Sequence, residues 1–550
     1  MYESRAVASL ARAASSSDGH HGRHGGEGSD GQKAWKFVGM LGASLAFVGT
    51  GVYLNLTRKP TACAKVSDIS LIVGERRKDL PDFRLNEIEA HKGKEGKPIW
   101  VTYKDGVYDV SEFVQGHPGG EKIFLAAGGD VEPFWDLYAI HKSAHVFEQL
   151  EELRIGNIHP KDKFKTEVRN PNDPFANEPR RHPALHVNSP KPFNSEPPPE
   201  LLVDNFITPN DLFFVRNHLP VPKVEEAKYE LKIEGEGLRK PISLKLNDLK
   251  KKFKVHTLTA TLQCAGNRRS HMAQYKPVKG LSWGMSAISN AEWTGVKLAD
   301  VLAHAGLNKN NGHHVIFQGM DKDIEGVPYE SSIPAETALD PNKDVMLVFE
   351  MNEKPLPKDH GYPVRVIVPG TIGARQVKWV NKIITSKTES KSHWQQKDYK
   401  SFNPSVDWHN ADYDQAIPIQ EYPVQSAICE PLEGTILETT DEVTVRGYSW
   451  SGGGRGIVRV DISVDDGKTW QEAELHHLQQ KTHRQWAWTL FEATVPIPKE
   501  HKPKDGKLTV MCKATDTSHN SQPEAVNGIW NMRGLIHNAW HKVHVTLPPE

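Results

Sequence analysis

An α+β protein of several domains is what this 550-residue sequence predicts, and three observations carry that reading. The length is too great for a single hydrophobic core and asks for about three. Short strand and helix patterns intermix up to about Ser401, whereas a period of two dominates from about Pro404 onward. Between residues 161 and 200 lie nine prolines and little apolar periodicity, so the amino-terminal module is not welded to the rest of the chain.

Composition mainly excludes. Lys+Arg of 68 against Asp+Glu of 69 leaves a net charge of -1, so nothing points to nucleic acid, and any anion site must come from local clustering. The four cysteines, Cys63, Cys264, Cys429 and Cys512, form neither a CxxC metal site nor a disulfide framework. Cys512 alternates with apolar positions in Leu508–Ala514 and reads as a strand core residue.

Residues 1–33 contain Arg5, Arg12, a Ser/Ala mixture and the Gly/His-rich run His20–Gly28, which cannot form a packed core and reads as a targeting segment. Glu3 departs from the acidic-poor pattern of a mitochondrial presequence, and the His run reads as filler rather than a metal site. Phe37 to Leu56 is uncharged, flanked by Lys33 and Lys36 on one side and Arg58 and Lys59 on the other, and long enough to span a bilayer. It is either a retained membrane anchor or a stop-transfer sorting signal that is cleaved.

From Pro98 to Ile158 the pattern gives a strand Ile99–Tyr103, an Asp105-Gly106 turn, a strand Val107–Val110 and Ser111 as the N-cap of a helix. His117 sits in Gly116-His-Pro-Gly-Gly120 and His141 comes directly after the apolar stretch Phe134–Ile140. With Phe113, Val114, Ile123, Phe124, Leu125, Phe134 and Leu137 between them, the two imidazoles could face either side of a flat hydrophobic cofactor. Further on, strands at Tyr229–Ile233 and Val364–Val368 and a helix at Leu298–Ala305 mark a mixed α+β region. In the last region, Glu442–Tyr448 and Val458–Val464 alternate, Asp466-Gly467 reads as a turn, and Thr469-Trp470 begins a return strand, which together argue a β-sandwich. Gly452–Gly456 opens no helix and reads as a hairpin loop rather than a phosphate loop.

The alternating run Val255–Leu262 leads into Gln263-Cys264-Ala-Gly-Asn-Arg268-Arg269-Ser270, which sets one cysteine among cations. Read alone, Cys264 is either a small buried core residue or a metal ligand whose thiolate Arg268 and Arg269 would favour.

Leu262–Ser270 resembles the cysteine motif of the sulfite oxidase and eukaryotic nitrate reductase superfamily, as do Phe213–Pro220, Lys358–Arg365, Gly373–Trp379 and Trp530–Gly534. The stretch around His117 and His141, with its His-Pro-Gly-Gly motif, resembles the cytochrome b5 family. The resemblance implies five segments: a mitochondrial targeting and sorting segment 1–79, a cytochrome b5-type haem domain 80–159, a flexible hinge 160–173, a mixed α+β molybdenum-pterin domain 174–401, and an immunoglobulin-like dimerisation domain 402–550.

It also implies roles. His117 and His141 would ligate the iron of haem b, with Ser143 and His145 on the haem-contact stretch. Two axial imidazoles leave iron no open position, so the module would pass single electrons. Cys264 would bind molybdenum, a soft thiolate for a soft metal. Phe214, Val215, Arg216, Asn217, His218, Asp321, His360, Arg365, Gln376, Val377 and Lys378 would hold the pterin and its phosphate, for which Arg and Lys are suited. Gln376 stands where His is expected in animal relatives. Arg216, Arg269 and Arg533 would form the oxyanion pocket, with Trp283 and Tyr399 as donors, while Arg268 and Arg375 are read as structural ion-pair partners.

The activity so implied is oxidation of sulfite to sulfate at a molybdenum-molybdopterin centre. Electrons would leave one at a time through the b-type haem to cytochrome c, in a homodimer of the mitochondrial intermembrane space that is not membrane-anchored once processed. Nitrate reductase shares the cysteine motif, but its haem module lies after the molybdenum module and is trailed by flavin and nicotinamide domains. A haem electron carrier with a metal-free central domain is the other rival, and the intact Cys264 with its basic surroundings argues against it.

Overall fold

The computed structural model describes residues 73–94, 96–118, 120–137, 139–162, 173–176, 178–307, 314–499 and 505–549. The segment through residue 72, with Phe37–Leu56 and Cys63, and residues 163–172 of the expected hinge lie outside the described residues. Among the described residues, no helix is long and apolar enough to cross a membrane.

The first module is built on a four-stranded sheet in the order Asp82–Phe83, Arg154–Ile158, Gly106–Asp109, Trp100–Tyr103. Its hairpin turns at Lys104 and Asp105, with Lys104 at φ 50°, one residue ahead of the expected turn. Tyr103, Val107 and Tyr108 are buried, and the Tyr103 ring meets those of Trp135 and Phe147 at 5.0 and 5.9 Å. Ser111 does not cap a helix. Its hydroxyl instead accepts from the Ile99 amide at 2.8 Å and donates to Asp109, which closes the strand end. The Pro and Gly residues just beyond it permit only the 3-10 turn Val114–Gly116.

The middle region holds two larger sheets. One runs Val255–Gln263, Ile288–Lys297, Met346–Met351, Lys354–Pro355, with Arg365–Ile367 also pairing to Met346–Met351. The other runs Pro328–Pro334, His314–Lys322, Val380–Ser386, Leu231–Gly235, Ile242–Leu244. The helix Leu298–His304 buries Leu298, Val301 and Leu302 in a core shared with Ile233, Phe317 and Val366. Along Val255–Gln263 the alternation of exposed and half-buried residues stops at Leu258, and Thr259 to Gln263 are all buried. The polar face there is covered by the carboxy-terminal region, not by water. Trp488 N donates to Thr261 Oγ1 at 2.8 Å, and Gln425 Nε2 donates to Gln263 Oε1 at 2.6 Å.

That last region is a sandwich of two four-stranded sheets. The first runs Gln425–Glu430, Glu442–Trp450, Thr489–Pro496, Glu474–His477, and the second Gln471–Glu472, Ile457–Ser463, Lys507–Asp516, His541–Thr546. Ile428, Val445, Ile462, Val510, Cys512 and Val543 fill the space between. Asp466 and Gly467 have φ of 59° and 79° and make a turn inside a longer loop, because the last paired residues are Ile462 and Gln471, so the return strand begins at Gln471 and not at Thr469-Trp470. Gly452–Gly456 opens no helix but is not a hairpin loop, because the strands it joins belong to different sheets. The chain crosses the sandwich there.

Asp344, 2 % exposed, ties the sandwich to the middle region. It accepts from Lys297, from Arg484 (Nε at 2.7 Å) and from Trp486 Nε1 at 2.8 Å. Burial would raise its carboxyl, but the bonds from Arg484, Lys297 and Trp486 outweigh that and hold it below its ordinary value. This stability is therefore present above the ordinary carboxylate range and is lost as pH falls through the lowered folded value. Asp344→Ala should cost about 3 kcal/mol, the lower end for a broken buried pair, since Lys297 and Arg484 keep some contact with water. Denaturant unfolding checks this, and a loss below about 0.5 kcal/mol, within the range of an ordinary surface substitution, would remove Asp344 as the tie.

Candidate active site and haem cleft

Cys264 comes directly after the strand Val255–Gln263 and is 5 % exposed. Its amide donates to Ala287 O at 2.9 Å, and its Sγ accepts from the Gly266 amide at 3.4 Å. Arg268 has φ 61°, a left-handed residue, and the two adjacent arginines separate there. Arg268 donates to the carbonyls of Ala539 at 2.7 Å, Ser426 at 3.2 Å and Trp540 at 3.2 Å. It is a structural residue bound to carbonyls, not the ion-pair partner the sequence suggested. Among the described residues Arg375 likewise forms no ion pair but donates to Ile419 O, Ser331 Oγ and Gln395 Oε1.

Arg269 turns the other way, donating to Arg533 O at 3.0 Å and Leu281 O at 2.9 Å. Three glycines make room for it. A Cβ at Gly266, Gly280 or Gly534 would fall 2.5, 2.7 or 2.6 Å from its side chain. So placed, its guanidinium is lowered chiefly by burial, and the neighbouring Arg216 and Arg533 add to the effect. Arg533 itself is bonded to Asp398 at 2.5 Å, so the cation expected to be free for an anion is already paired, though its Nε is buried without a partner.

Beside Cys264 opens a cavity walled by residues from several separate stretches of the chain. Phe214, Arg216, His218, Asp321, His360 and Arg365 line it, as do Gln376, Val377, Lys378 and Tyr399. Val215 and Asn217 do not. Asn217 works from behind, donating to Asp359 at 3.0 Å and accepting from Lys378. Gln376 uses both ends of its amide on the loop it stands in, accepting from Val368 N and donating to Thr371 O, each at 3.2 Å. Trp283 is wholly buried in the apolar cluster that contains Cys264 and Phe214, and its Nε1 has no partner.

Burial dominates the ionisation of this wall. It lowers His360 to about 3 and pushes His218 well below the imidazole range, with Arg216 and Lys378 adding to the effect, so both rings are neutral. Tyr399 is raised and keeps its proton, its hydroxyl 2.7 Å from His218 Nε2. Asp321 is raised and Lys378 lowered, each chiefly by desolvation. Asp321 Oδ1 and Arg365 Nε are buried with no partner in the protein. A cavity walled by cations, with orphaned polar atoms buried in that wall, suits a hydrogen-bonding, phosphate-bearing group better than an apolar one.

Tyr329 and Trp379 also line the cavity, and the sequence motifs do not single them out as site residues. Trp379 stands inside one of those motifs, Gly373–Trp379. Tyr329 has no local signal, since it is placed by its bond to Ala374 O at 2.9 Å, 45 residues away.

In the first module the rings of His117 and His141 lie 6.1 Å apart with planes 14° from parallel. That leaves room for one metal ion at about 2 Å from a nitrogen on each side. His117 Nδ1 contacts Gly120 O at 3.2 Å, and a carbonyl can only accept, so Nδ1 carries the proton and Nε2 is free for a metal. Phe113, Val114, Ile123 and Leu125 stay only half-buried and Phe124 is 41 % exposed, apolar surface that a flat hydrophobic group would cover. Ser143 precedes the helix Ala144–Glu152 without capping it, and His145 in its first turn is exposed.

Three family models match the chain: cytochrome b5-like haem/steroid binding domain over residues 84–159, oxidoreductase molybdopterin binding domain over 218–394, and Mo-co oxidoreductase dimerisation domain over 416–547. Human mitochondrial sulfite oxidase is 51 % identical over 469 residues, covering 85 % of this chain and 85 % of that protein. The chain belongs to the sulfite oxidase family. The mitochondrial enzyme of Drosophila melanogaster is 48 % identical over 478 residues, covering 86 % and 82 %. Among solved structures, the sulfane dehydrogenase SoxCD of Paracoccus pantotrophus is similar with a TM-score of 0.54 and 26 % identity, over 66 % of this chain and 88 % of that one. A haem module ahead of a molybdopterin module is the order the sulfite oxidase resemblance implied, and the fold agrees with it in all three regions.

Proposed function

We propose that this chain oxidises sulfite to sulfate and relays the electrons through its own haem. The observation that carries the reading is Cys264, which among the described cysteines alone lines a cationic cavity with orphaned polar atoms in its wall. Molybdopterin fits that cavity, with Cys264 as the protein's ligand to the metal and Arg216, Asp321, His360, Arg365 and Lys378 around the pterin and phosphate. When bound, the molybdenum centre supplies two-electron oxygen-atom transfer and the haem supplies one-electron exchange.

The chain's own residues do the rest. Arg216 and Arg269 bring positive charge to the edge of the cavity and hold the sulfite anion there, with the indole N–H of Trp283 as a further donor. Oxidation of sulfite with water releases two protons for every two electrons. Tyr399 and neutral His218, 2.7 Å apart, offer an O–H and a ring nitrogen through which a proton can pass. His117 and His141 would hold the haem iron, leaving it to one-electron exchange. Cytochrome c is the electron acceptor, the mature protein is a homodimer joined through residues 402–550, and its compartment is the mitochondrial intermembrane space.

Three outcomes are expected. Cys264→Ser exchanges a soft thiolate for a hard, mostly protonated oxygen, so sulfite oxidation should collapse while the haem spectrum persists, and near-normal turnover would sink the assignment. His117→Ala or His141→Ala should abolish the low-spin six-coordinate spectrum and cytochrome c reduction but spare sulfite oxidation with an artificial acceptor; equal loss with both acceptors in folded, molybdenum-loaded protein would contradict the relay. Arg269→Gln should lower kcat/KM for sulfite roughly ten- to hundredfold, the cost of ~1.5 to 3 kcal/mol for a charge-assisted partner. Arg268→Gln should instead lower the unfolding midpoint. If, at equal molybdenum occupancy, Arg268→Gln lost more sulfite affinity than Arg269→Gln, the wrong arginine would have been assigned to the substrate.

A further inference from the structure

A second cleft is lined by Arg180, Lys223, Lys358, Tyr362 and Glu178, and it shares Trp379 with the cofactor cavity. Arg180, Lys223 and Lys358 are exposed, and among the described residues none of the three pairs with a carboxylate. Unpaired surface lysines alone are ordinary. Here three cations converge on one concave wall together with an unusual acceptor.

That acceptor is Glu178. Its side chain is only 8 % exposed, and its Oε2 is bound by Arg181 at 2.7 Å, while Arg181 also grips Asp359 through Nε at 2.9 Å. The carboxylate is therefore held in place by Arg181, yet Oε1 is buried without a partner in the protein. A buried carboxylate oxygen asks for a donor. A ligand that satisfies both the cations and Glu178 must be an anion that still carries a proton.

We propose that this cleft is a second anion site, specific for a phosphate that retains an O–H, with Arg180, Lys223 and Lys358 taking the charge and Glu178 Oε1 accepting the phosphate proton. Inorganic phosphate at neutral pH keeps at least one O–H, whereas sulfate keeps none and would meet Glu178 with lone pair against lone pair. The cleft would thus bind phosphate in the presence of sulfate, an anion of the same shape.

Trp379 links the cleft to the cavity. It has φ 49°, a strained conformation for a bulky side chain, and its Nε1 donates to Lys358 O at 2.8 Å. Trp379 is in the wall of both spaces. The phosphate can accordingly come from solution or be the singly ionised phosphate end of the pterin cofactor during entry; the second source rests on the molybdopterin reading above.

The test is equilibrium binding of inorganic phosphate and of sulfate to the purified full chain, native, Glu178→Gln and Arg180→Gln/Lys223→Gln. Native protein should bind phosphate at least about tenfold more tightly than sulfate, the ratio one charge-assisted hydrogen bond gives. Glu178→Gln, which turns the acceptor into an amide that can donate, should bring the two within about threefold, chiefly by gaining sulfate affinity. The Arg180→Gln/Lys223→Gln protein should lose phosphate affinity by about tenfold or more, with haem spectrum and sulfite turnover unchanged because neither side chain touches the cavity. Equal phosphate and sulfate affinity in the part of the binding that the double variant loses would overturn the proposal, as would native phosphate affinity in the double variant. Slower cofactor loading of apo-protein in the double variant, or under added phosphate, assigns the site to cofactor entry. Unchanged loading with phosphate binding intact assigns it to free phosphate. Loss of sulfite oxidation in native, molybdenum-loaded protein would count against the activity and leave the phosphate result standing.

Discussion

The loop that carries Cys264 has too few hydrogen-bond partners of its own, and the sandwich supplies the rest. Arg268 sends its guanidinium into the carbonyls of Ser426, Ala539 and Trp540. Ile536 N donates to Ala265 O at 2.7 Å, Asn267 Nδ2 to Tyr448 OH at 2.9 Å, and Arg269 Nε to Arg533 O at 3.0 Å. A fully buried guanidinium is costly unless each N–H finds an acceptor, so these bonds fix where the loop sits relative to the carboxy-terminal residues. The middle region and the sandwich consequently build one site between them.

The same geometry explains why the cavity is polar. Burial drives Asp321 and Lys378 toward neutrality and leaves Asp321 Oδ1 and Arg365 Nε unsatisfied. A protein retains such groups at a cost in stability, and a ligand that satisfies them returns that free energy on binding. The haem cleft obeys the complementary rule. There the unsatisfied surface is apolar, and the polar requirement is met by two imidazoles, one of them oriented by Gly120 O.

Much of this is legible in the sequence because the motifs are local. Four short segments contain most of the residues that the fold brings together around the cavity, although Phe214 and Tyr399 are 185 positions apart in the chain numbering. The features that escape a sequence reading depend on direction or on distant partners. Val215 and Asn217 group with their neighbours in the motif, but extended backbone sends alternate side chains to opposite sides, and Asn217 supports Asp359 and Lys378 instead. Ser111 resembles a helix cap because it precedes an apolar run, yet the proline and glycines beyond it allow no helix. The pairing of Arg533 with Asp398 spans 135 residues and leaves no trace in either local sequence. The Gly452–Gly456 crossing resembles a hairpin because alternation reveals strands without saying which sheet each joins.

The central claim is that Cys264, held by the sandwich at the cavity edge, is the protein's ligand to molybdenum. X-ray absorption at the molybdenum edge of the full chain tests it most directly, by counting sulfur neighbours. The account predicts three, two from the pterin dithiolene and one from Cys264. A count of two in fully loaded native protein would contradict it.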